Sequence, residues 1–271
     1  MKATAIIPSR YGSTRLGGKP LLSIAGKPMI QRVYEQALMA ENIEKVIVAT
    51  DDPRIVNAVE KFGGLALLTP SFLGSGTDRV ACAAEMLGIP EDEIVINIQG
   101  DQPLFNPACI GEILAPLAGD RERLQPHMTT LAYPIVNPRE ITDPKDVKVV
   151  MDHNGHALYF SRAAIPFPRD GGYNLDSQVD SPVRFYKHLG FYACRKRFLD
   201  IFAKLPQGVL EGIEKLEQLR VLEYGFSIKV VITGHDSPEV DLPEDIPRIE
   251  ALLKMHPECP GQWDGPEKRE P

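Results

Sequence analysis

The first half of this 271-residue chain alternates short apolar runs with stretches of helical spacing. The runs are rich in β-branched residues, which indicates strands buried on both faces at residues 3–7, 45–50, 65–69 and 94–98. Pro28, Pro53 and Pro107 lie where helices between these strands would begin. This alternation predicts an α/β fold with a mostly parallel, Rossmann-like sheet and helices on both faces. Ligands of such folds bind beyond the carboxyl ends of the strands.

The pattern changes after about residue 129, where strands at 128–135, 147–151, 157–161 and 185–193 alternate with turn-rich loops. We interpret residues of about 130–225 as an inserted, strand-containing lobe. A helix at 211–224, a strand at 228–232 and a helix after Pro243 then return the chain to the sheet. Residues 1–255 are therefore predicted to form one domain. The loop at 167–180 is expected to be mobile, and the proline-rich tail at 256–271 to have little order.

Bulk composition excludes several classes of protein. The net charge of −7 argues against a broad basic surface for nucleic acid. No run approaches the roughly 18 to 20 apolar residues of a membrane span, so a cytoplasmic protein without membrane contact is expected. The four cysteines are scattered without metal-ligand spacing, which indicates reduced thiols.

The segment that follows the first strand combines glycines with cations. Gly12, Gly17 and Gly18 allow a tight turn, while Arg10, Arg15 and Lys19 supply three positive charges. Backbone N–H donors and cations of this kind bind a triphosphate, although a solvated basic turn is the alternative. The segment matches neither G-x-x-x-x-G-K-[ST] nor G-x-G-x-x-G. Any magnesium ligands must therefore come from elsewhere in the chain.

Two aspartates are candidates for that metal. Asp101 follows the strand at 94–98, on the ligand side of a parallel sheet, and Asp241 follows another strand. Mg²⁺ binds hard oxygens and commonly uses one or two carboxylates together with substrate phosphates. A Gly-Asp turn at Asp101 and a helix cap at Asp241 are the structural alternatives.

These residues resemble the 3-deoxy-manno-octulosonate (KDO) cytidylyltransferase family, also called CMP-KDO synthetases. The signature I-I-P-x-R-x-x-S-T-R-L-x-G-K-P is present at residues 6–20, and further matches extend to about residue 255. They include S-G-T-D-R at 75–79, N-I-Q-G-D at 97–101, K-H-L-G at 187–190 and L-E-Q-L-R-V-L at 216–222. Gly17 stands where the family usually has proline, Gln102 where glutamate is common, and Leu242 where threonine is usual.

The resemblance implies a nucleotide-diphospho-sugar transferase-like fold and transfer of CMP from CTP to KDO, with Mg²⁺, for lipopolysaccharide synthesis. It also implies a homodimer formed largely by the lobe. Asp101 and Asp241 would hold the metal, while Lys19 and Arg15 would act on the departing pyrophosphate. The candidates for holding the nucleotide are Arg10, Ser13, Arg15, Lys19, Ser75, Gly76, Arg79 and Gln99. The candidates for the sugar are Arg162 and His188 at its carboxylate, and Gln102 and Glu211 at its hydroxyls. The alternative interpretation of His188 is a histidine with a purely structural role.

Three rival functions remain open from the sequence. The same chemistry with sialic acid or an amino variant of KDO is the nearest. A glycosyltransferase would use a D-x-D element, but Asp101 is followed by Gln102 and Pro103. A CTP-binding sensor would bind the nucleotide without releasing pyrophosphate.

Overall fold

The computed structural model describes residues 1–12, 17–118, 125–169 and 184–255. Its first half alternates strands and helices in the predicted order. The elements are β1 (Ala3–Ser9), β2 (Ser23–Ile24), β3 (Lys27–Pro28), α1 (Met29–Leu38), β4 (Ile43–Thr50), α2 (Pro53–Lys61), β5 (Ala66–Leu68), α3 (Gly76–Met86), β6 (Ile94–Asn97) and α4 (Ala108–Leu114).

The second half contributes longer strands and shorter helices. These are β7 (Met128–Pro134), α5 (Pro138–Thr142), β8 (Lys148–Met151), β9 (Ala157–Ser161), β10 (Tyr186–Arg195), α6 (Lys196–Phe202), α7 (Val209–Glu214), α8 (Gln218–Glu223), β11 (Ile228–Ile232) and α9 (Asp245–Met255). The tail at 256–271 and most of the loop at 167–180 lie outside the described residues. The division into a domain and a lobe stays a prediction.

Within the described residues, one sheet has the order β11-β7-β10-β6-β1-β4-β5. Strand β8 also pairs with β10, and β9 pairs with β8. Strands β6, β1, β4 and β5 are parallel, whereas β10 runs antiparallel to both β6 and β7. The predicted fold class is therefore confirmed. The parallel arrangement brings the carboxyl ends of β1 and β6 to the same edge of the sheet.

The sheet carries a hydrophobic core on each face. Successive side chains of a strand point to opposite faces, so Ile7 packs in one core cluster and Ile6 in the other. Both side chains are fully buried, which explains why β1 reads as a continuous apolar run. No helix within the described ranges is both long and apolar enough to cross a lipid bilayer.

One local prediction was wrong in a way that affects the candidate site. The single helix expected at 211–224 is two helices, α7 and α8, because Lys215 adopts a left-handed conformation with φ of 56° and ends α7. Helix α3 begins at Gly76. Its cap is Ser75, whose side chain accepts from the Asp78 N–H while the Asp78 carboxylate accepts from the Ser75 N–H.

Candidate active site

Lys19 lies between the two predicted metal ligands. Its ammonium donates to Asp101 Oδ2 at 2.8 Å and to Asp241 Oδ1 at 2.9 Å. The segments carrying the two acids run side by side, since the Val240 N–H donates to the Asp101 carbonyl at 3.0 Å. Gly100 lets the loop after β6 pass close to β1, because a Cβ there would lie only 3.1 Å from the Pro8 carbonyl oxygen. Asp101 and Asp241, which lie 82 and 222 positions from Lys19 in sequence, thus meet at its ammonium.

The charge of Lys19 is stabilised by this arrangement. Burial lowers the pKa of the Lys19 ammonium, but the charges and hydrogen bonds of Asp101 and Asp241 outweigh burial, so its pKa lies above the ordinary value. Lys19 is therefore a permanent cation at neutral pH. It neutralises one of the two negative charges that the aspartates bring to this edge of the sheet.

The donor set suits a Mg²⁺ ion that a substrate helps to bind. Two carboxylates converge within 3 Å of one atom, Lys19 Nζ. Among the described residues no cluster of three or more histidine, cysteine or acidic side chains could hold a metal by itself. Mg²⁺ commonly takes one or two protein carboxylates and completes its shell with phosphate oxygens and water. Asp101 and Asp241 fit that pattern, and their role as ligands stays a prediction.

A third carboxyl group, which sequence reasoning missed, lies behind these two. Glu239 accepts a hydrogen bond from the Gln102 amide at 2.9 Å. Burial and the nearby charge of Asp101 raise the pKa of Glu239 to about 8. Only its position two residues before Asp241 could have drawn attention to it.

Gln102 does not lie where the sequence analysis expected it. It is fully buried, and its amide donates to the Leu189 carbonyl and Glu239 while accepting from Ser237. Both donors are used inside the protein, and burial separates the side chain from a sugar hydroxyl. Gln102 instead joins the loop after β6 to the Ser237–Glu239 segment.

The phosphate-loop residues are placed in part. Arg10 lines the cavity described below, and its Nη2 donates to the Leu73 carbonyl at 2.8 Å. Gly18 has φ of 69° and would bring a Cβ to 3.3 Å from the Tyr11 ring, which explains a glycine here. Ser13 and Arg15 lie outside the described residues.

The remaining nucleotide candidates have mixed positions. Gln99 lines the cavity and donates to the Gly190 carbonyl at 3.1 Å. Ser75 and Gly76 form the amino-terminal turn of α3, close to Pro8 at the end of β1. Arg79 is a correction to the sequence prediction. It is fully buried, and its guanidinium donates to Thr69, the Pro70 carbonyl and Asp51, so it stabilises the protein interior.

One cavity of about 810 Å³ extends from Asp101 and Asp241 to Arg162 and beyond. Arg162 is held by carbonyl groups of Glu214 and Pro144, each 2.9 Å away. These bonds occupy two of its five N–H donors and fix the guanidinium in the cavity wall. The other donors suit a carboxylate ligand.

His188 also lines the cavity, but not as a cation. Burial lowers the pKa of His188 to about 3, so the ring is neutral. The Thr130 hydroxyl donates to the Phe191 carbonyl at 2.6 Å and therefore accepts from His188 Nε2 at 2.8 Å. This leaves Nδ1 as an acceptor. His188 thus suits a hydroxyl donor, and the expected pairing of its charge with a carboxylate is corrected.

Glu211 is likewise not part of the cavity wall. It is 4% exposed, and its carboxylate pairs bidentately with Arg220 at 2.8 and 2.6 Å. Arg220 also binds Asp78 in the first turn of α3, so these side chains connect the lobe to that helix. Glu211 is therefore a structural residue.

The carboxylate that does face the cavity from this region is Glu217. It accepts from the Thr77 N–H at 3.0 Å and from the Thr77 hydroxyl at 2.7 Å. Glu217 belongs to the L-E-Q-L-R motif, which could have identified it from the sequence. The prediction of one continuous helix obscured its position, because the break at Lys215 gives Glu217 a new direction.

Comparison with known proteins agrees with this architecture. A family described as Cytidylyltransferase matches residues 4–230. A protein of Desulfatibacillum aliphaticivorans named 3-deoxy-manno-octulosonate cytidylyltransferase is 61% identical over 94% of this chain and 99% of its own length. A Shewanella frigidimarina protein named 8-amino-3,8-dideoxy-manno-octulosonate cytidylyltransferase is 53% identical over 94% of this chain and 100% of its own.

The solved structures include a similar CMP:2-keto-3-deoxy-manno-octonic acid synthetase in complex with CTP. It has a TM-score of 0.81 and 40% identity, and the match covers 94% of this chain and 100% of that one. The fold and the site therefore define a nucleotidyltransferase. This chain belongs to the cytidylyltransferase family.

Proposed function

We propose that the protein transfers CMP from CTP to the anomeric hydroxyl of KDO, forming CMP-KDO and pyrophosphate for lipopolysaccharide synthesis. The observation that carries the proposal is a single cavity with two chemically different parts. Lys19, Asp101 and Asp241 meet at one part, and Arg162 and His188 line another. A nucleoside triphosphate with its metal suits the first, and an acidic sugar suits the second.

The nucleotide end neutralises charge. Lys19 and Arg10 bring cations to the carboxyl ends of β1 and β6, where the triphosphate would lie. Arg15 and Ser13 belong to the same loop and are proposed to contact the phosphates as well. Asp101 and Asp241 would hold Mg²⁺, which supplies charge neutralisation and lowers the pKa of the attacking hydroxyl.

The sugar end orients the acceptor. Arg162, fixed by two backbone carbonyls, would bind the carboxylate of the sugar through its remaining N–H groups. His188 Nδ1 would accept a hydrogen bond from a sugar hydroxyl. Glu217, held by Thr77, offers a second acceptor in the same wall.

Transfer then needs little covalent chemistry from the protein. The anomeric oxygen forms a bond to the α-phosphorus while the bond from that phosphorus to pyrophosphate breaks, and the hydroxyl proton passes to solvent. Positioning and charge neutralisation supply most of the catalysis in reactions of this type. Lys19 remains protonated and stabilises negative charge on the leaving group.

The test is pyrophosphate release with a panel of four nucleoside triphosphates and several acidic sugars. The proposal predicts release that requires both CTP and KDO, with a CMP-sugar as the second product. Release without a sugar would contradict it, as would binding of CTP without release. A glycosyltransferase would release no pyrophosphate from CTP.

We also propose a homodimer that forms through the lobe. The large apolar side chains exposed in this region include Leu158 in β9 and Val209 and Ile213 in α7. Apolar groups of this kind favour burial against a second copy. Sedimentation velocity should give twice the chain mass, and Ile213→Asp should shift it towards the monomer. A cytoplasmic location stays a proposal, consistent with the use of CTP.

A further inference from the structure

A second lysine lies between two carboxylates in the wall of the same cavity. Lys187 Nζ is 2.9 Å from Asp236 Oδ1 and 3.3 Å from Glu140, and the residue is 8% exposed. The proposed reaction assigns no role to any of these three side chains. They were also not singled out in the sequence beyond the K-H-L-G match.

Three separate elements fix this cluster. Lys187 is in β10, Glu140 is in α5, and Asp236 follows β11. The ammonium also lies 5.5 Å from the centre of the Tyr133 ring in β7. A cation held from three directions has one position, and it can therefore act on a ligand as a fixed charge.

The cluster borders the space that the distal part of an acidic sugar would occupy. Lys187 immediately precedes His188, and both line the cavity with Arg162. The reacting anomeric carbon, next to the sugar carboxylate, must lie towards Asp101 and Asp241. The other end of an eight-carbon sugar would then extend from these aspartates along the part of the cavity wall that includes Glu140, Asp146, Lys187 and Asp236.

Although the cluster contains several carboxyl groups, its charges do not leave it ready to bind a cation. Burial raises the pKa of both Glu140 and Asp146, and the charge of Lys187 opposes this shift. Burial lowers the pKa of Lys187, but Asp236 and Glu140 outweigh this and keep the ammonium charged. The position between the two carboxylates is therefore already occupied by a cation of the protein.

This bears on a choice between two sugars that differ by one group. Relatives of this chain include proteins named for 3-deoxy-manno-octulosonate and proteins named for its 8-amino-3,8-dideoxy derivative. The second sugar carries an amine in place of the hydroxyl at C8. Protonated, that amine only donates and is repelled by a nearby ammonium, whereas a hydroxyl both donates and accepts without charge.

We propose that Lys187 is a specificity-determining residue that selects an acidic sugar with an uncharged C8 hydroxyl over one with a C8 ammonium. The inference rests on the proposed function, because it assumes that an eight-carbon sugar acid is the acceptor. It assigns to Lys187 a repulsive role, the kind of contact that distinguishes two similar ligands.

The experiment measures kcat/KM for KDO and for 8-amino-3,8-dideoxy-manno-octulosonate, with CTP saturating. Lys187→Met should shift the ratio towards the amino sugar by about tenfold, since it removes the repelling charge and leaves the carboxylates. Lys187→Arg keeps the charge and should leave the ratio within about twofold of the original.

Lys196 provides a matched control. Its ammonium also lies between two carboxylates, Glu85 at 2.6 Å and Asp200 at 2.9 Å, and the residue is 6% exposed. It does not line the cavity. Lys196→Met should therefore leave the sugar preference unchanged, whatever it does to stability.

A ratio for folded Lys187→Met within twofold of the original would overturn the proposal. Folding is checked by thermal unfolding and by CTP binding. If this variant does not fold, Glu140→Gln decides the question, because removing a carboxylate should move the ratio further towards KDO. No change, or a change towards the amino sugar, overturns the inference. Failure of the proposed function is distinct, because it is seen in the unmodified enzyme, which would then use neither sugar or would prefer the amino sugar. Failure of the inference is seen in the ratios of the variants.

Discussion

Two parts of one cavity contain the same arrangement, a lysine between two carboxylates, in different surroundings. Around Lys19 the carboxylates of Asp101 and Asp241 are 29% and 21% exposed. Around Lys187 those of Glu140 and Asp236 are 21% and 13% exposed, and an aromatic ring lies nearby. In the proposed reaction, a triphosphate would bring negative charge to the first, so that a metal could join the carboxylates there. The sugar tail would bring no such charge to the second, where the lysine would keep its position.

The largest expected effect would test the first of these sites. Asp101→Asn should reduce kcat by at least about 100- to 1,000-fold, because it removes a charge needed in the transition state. Its thermal unfolding midpoint should stay within a few degrees of the original. Asp200→Asn, in an ion pair away from the cavity, should retain turnover. Near-full cytidylyl transfer by Asp101→Asn would show that Asp101 is not a metal ligand.

A buried ion pair that borders no cavity should affect stability instead. Glu211→Gln breaks the bidentate contact with Arg220 and should lower the free energy of unfolding by about 3 kcal/mol. Urea denaturation measures this loss. The KM for the sugar should change little in enzyme that remains folded. A large, selective rise in that KM would restore Glu211 as a substrate ligand.

Arg162 should matter for the acceptor alone. Arg162→Met should raise the KM for KDO about 10- to 100-fold, because a charge-assisted contact to the carboxylate is lost. The KM for CTP should stay within about twofold. Arg195→Met, at the end of β10 and outside the cavity wall, serves as the control. An equal rise in both KM values would mean that Arg162 supports the fold of the whole cavity.

The smallest effect concerns His188 and pH. Burial lowers its pKa to about 3 in the folded protein, whereas the unfolded chain titrates near 6.5. Between these values the unfolded state binds more protons, so stability from the neutral ring is present above about pH 6.5 and decreases as pH falls. The urea midpoint should therefore fall less between pH 7 and pH 5 in His188→Gln than in the original protein. An identical fall in both proteins would contradict the assignment of a neutral ring.

The meeting of Asp101 and Asp241 with Lys19 was predictable from the sequence. Each acid follows a strand, and the carboxyl ends of parallel strands lie at one edge of a sheet. The short apolar runs and their spacing were sufficient to predict that sheet. Asp101 and Asp241, which lie 82 and 222 positions from Lys19, could therefore be placed beside it from the sequence alone.

Side-chain direction could not be predicted in the same way. Glu211 and Glu217 are six positions apart, and the left-handed residue Lys215 ends the helix between them, so that only Glu217 lines the cavity. The tautomer of His188 depends on Thr130 and Phe191, which are distant in sequence. The burial of Arg79 depends on its packing against Thr69 and Asp51. These features arise from tertiary contacts that local patterns do not contain.

Mn²⁺ binding in the presence of CTP, followed by electron paramagnetic resonance, tests the central claim without depending on turnover. If Asp101 and Asp241 hold the metal together with the triphosphate, Asp101→Asn and Asp241→Asn should each weaken Mn²⁺ binding at least about tenfold. Asp200→Asn should leave it unchanged. Equal Mn²⁺ affinity in all four proteins would contradict the assignment of these two acids, 140 positions apart in the chain, as the metal site.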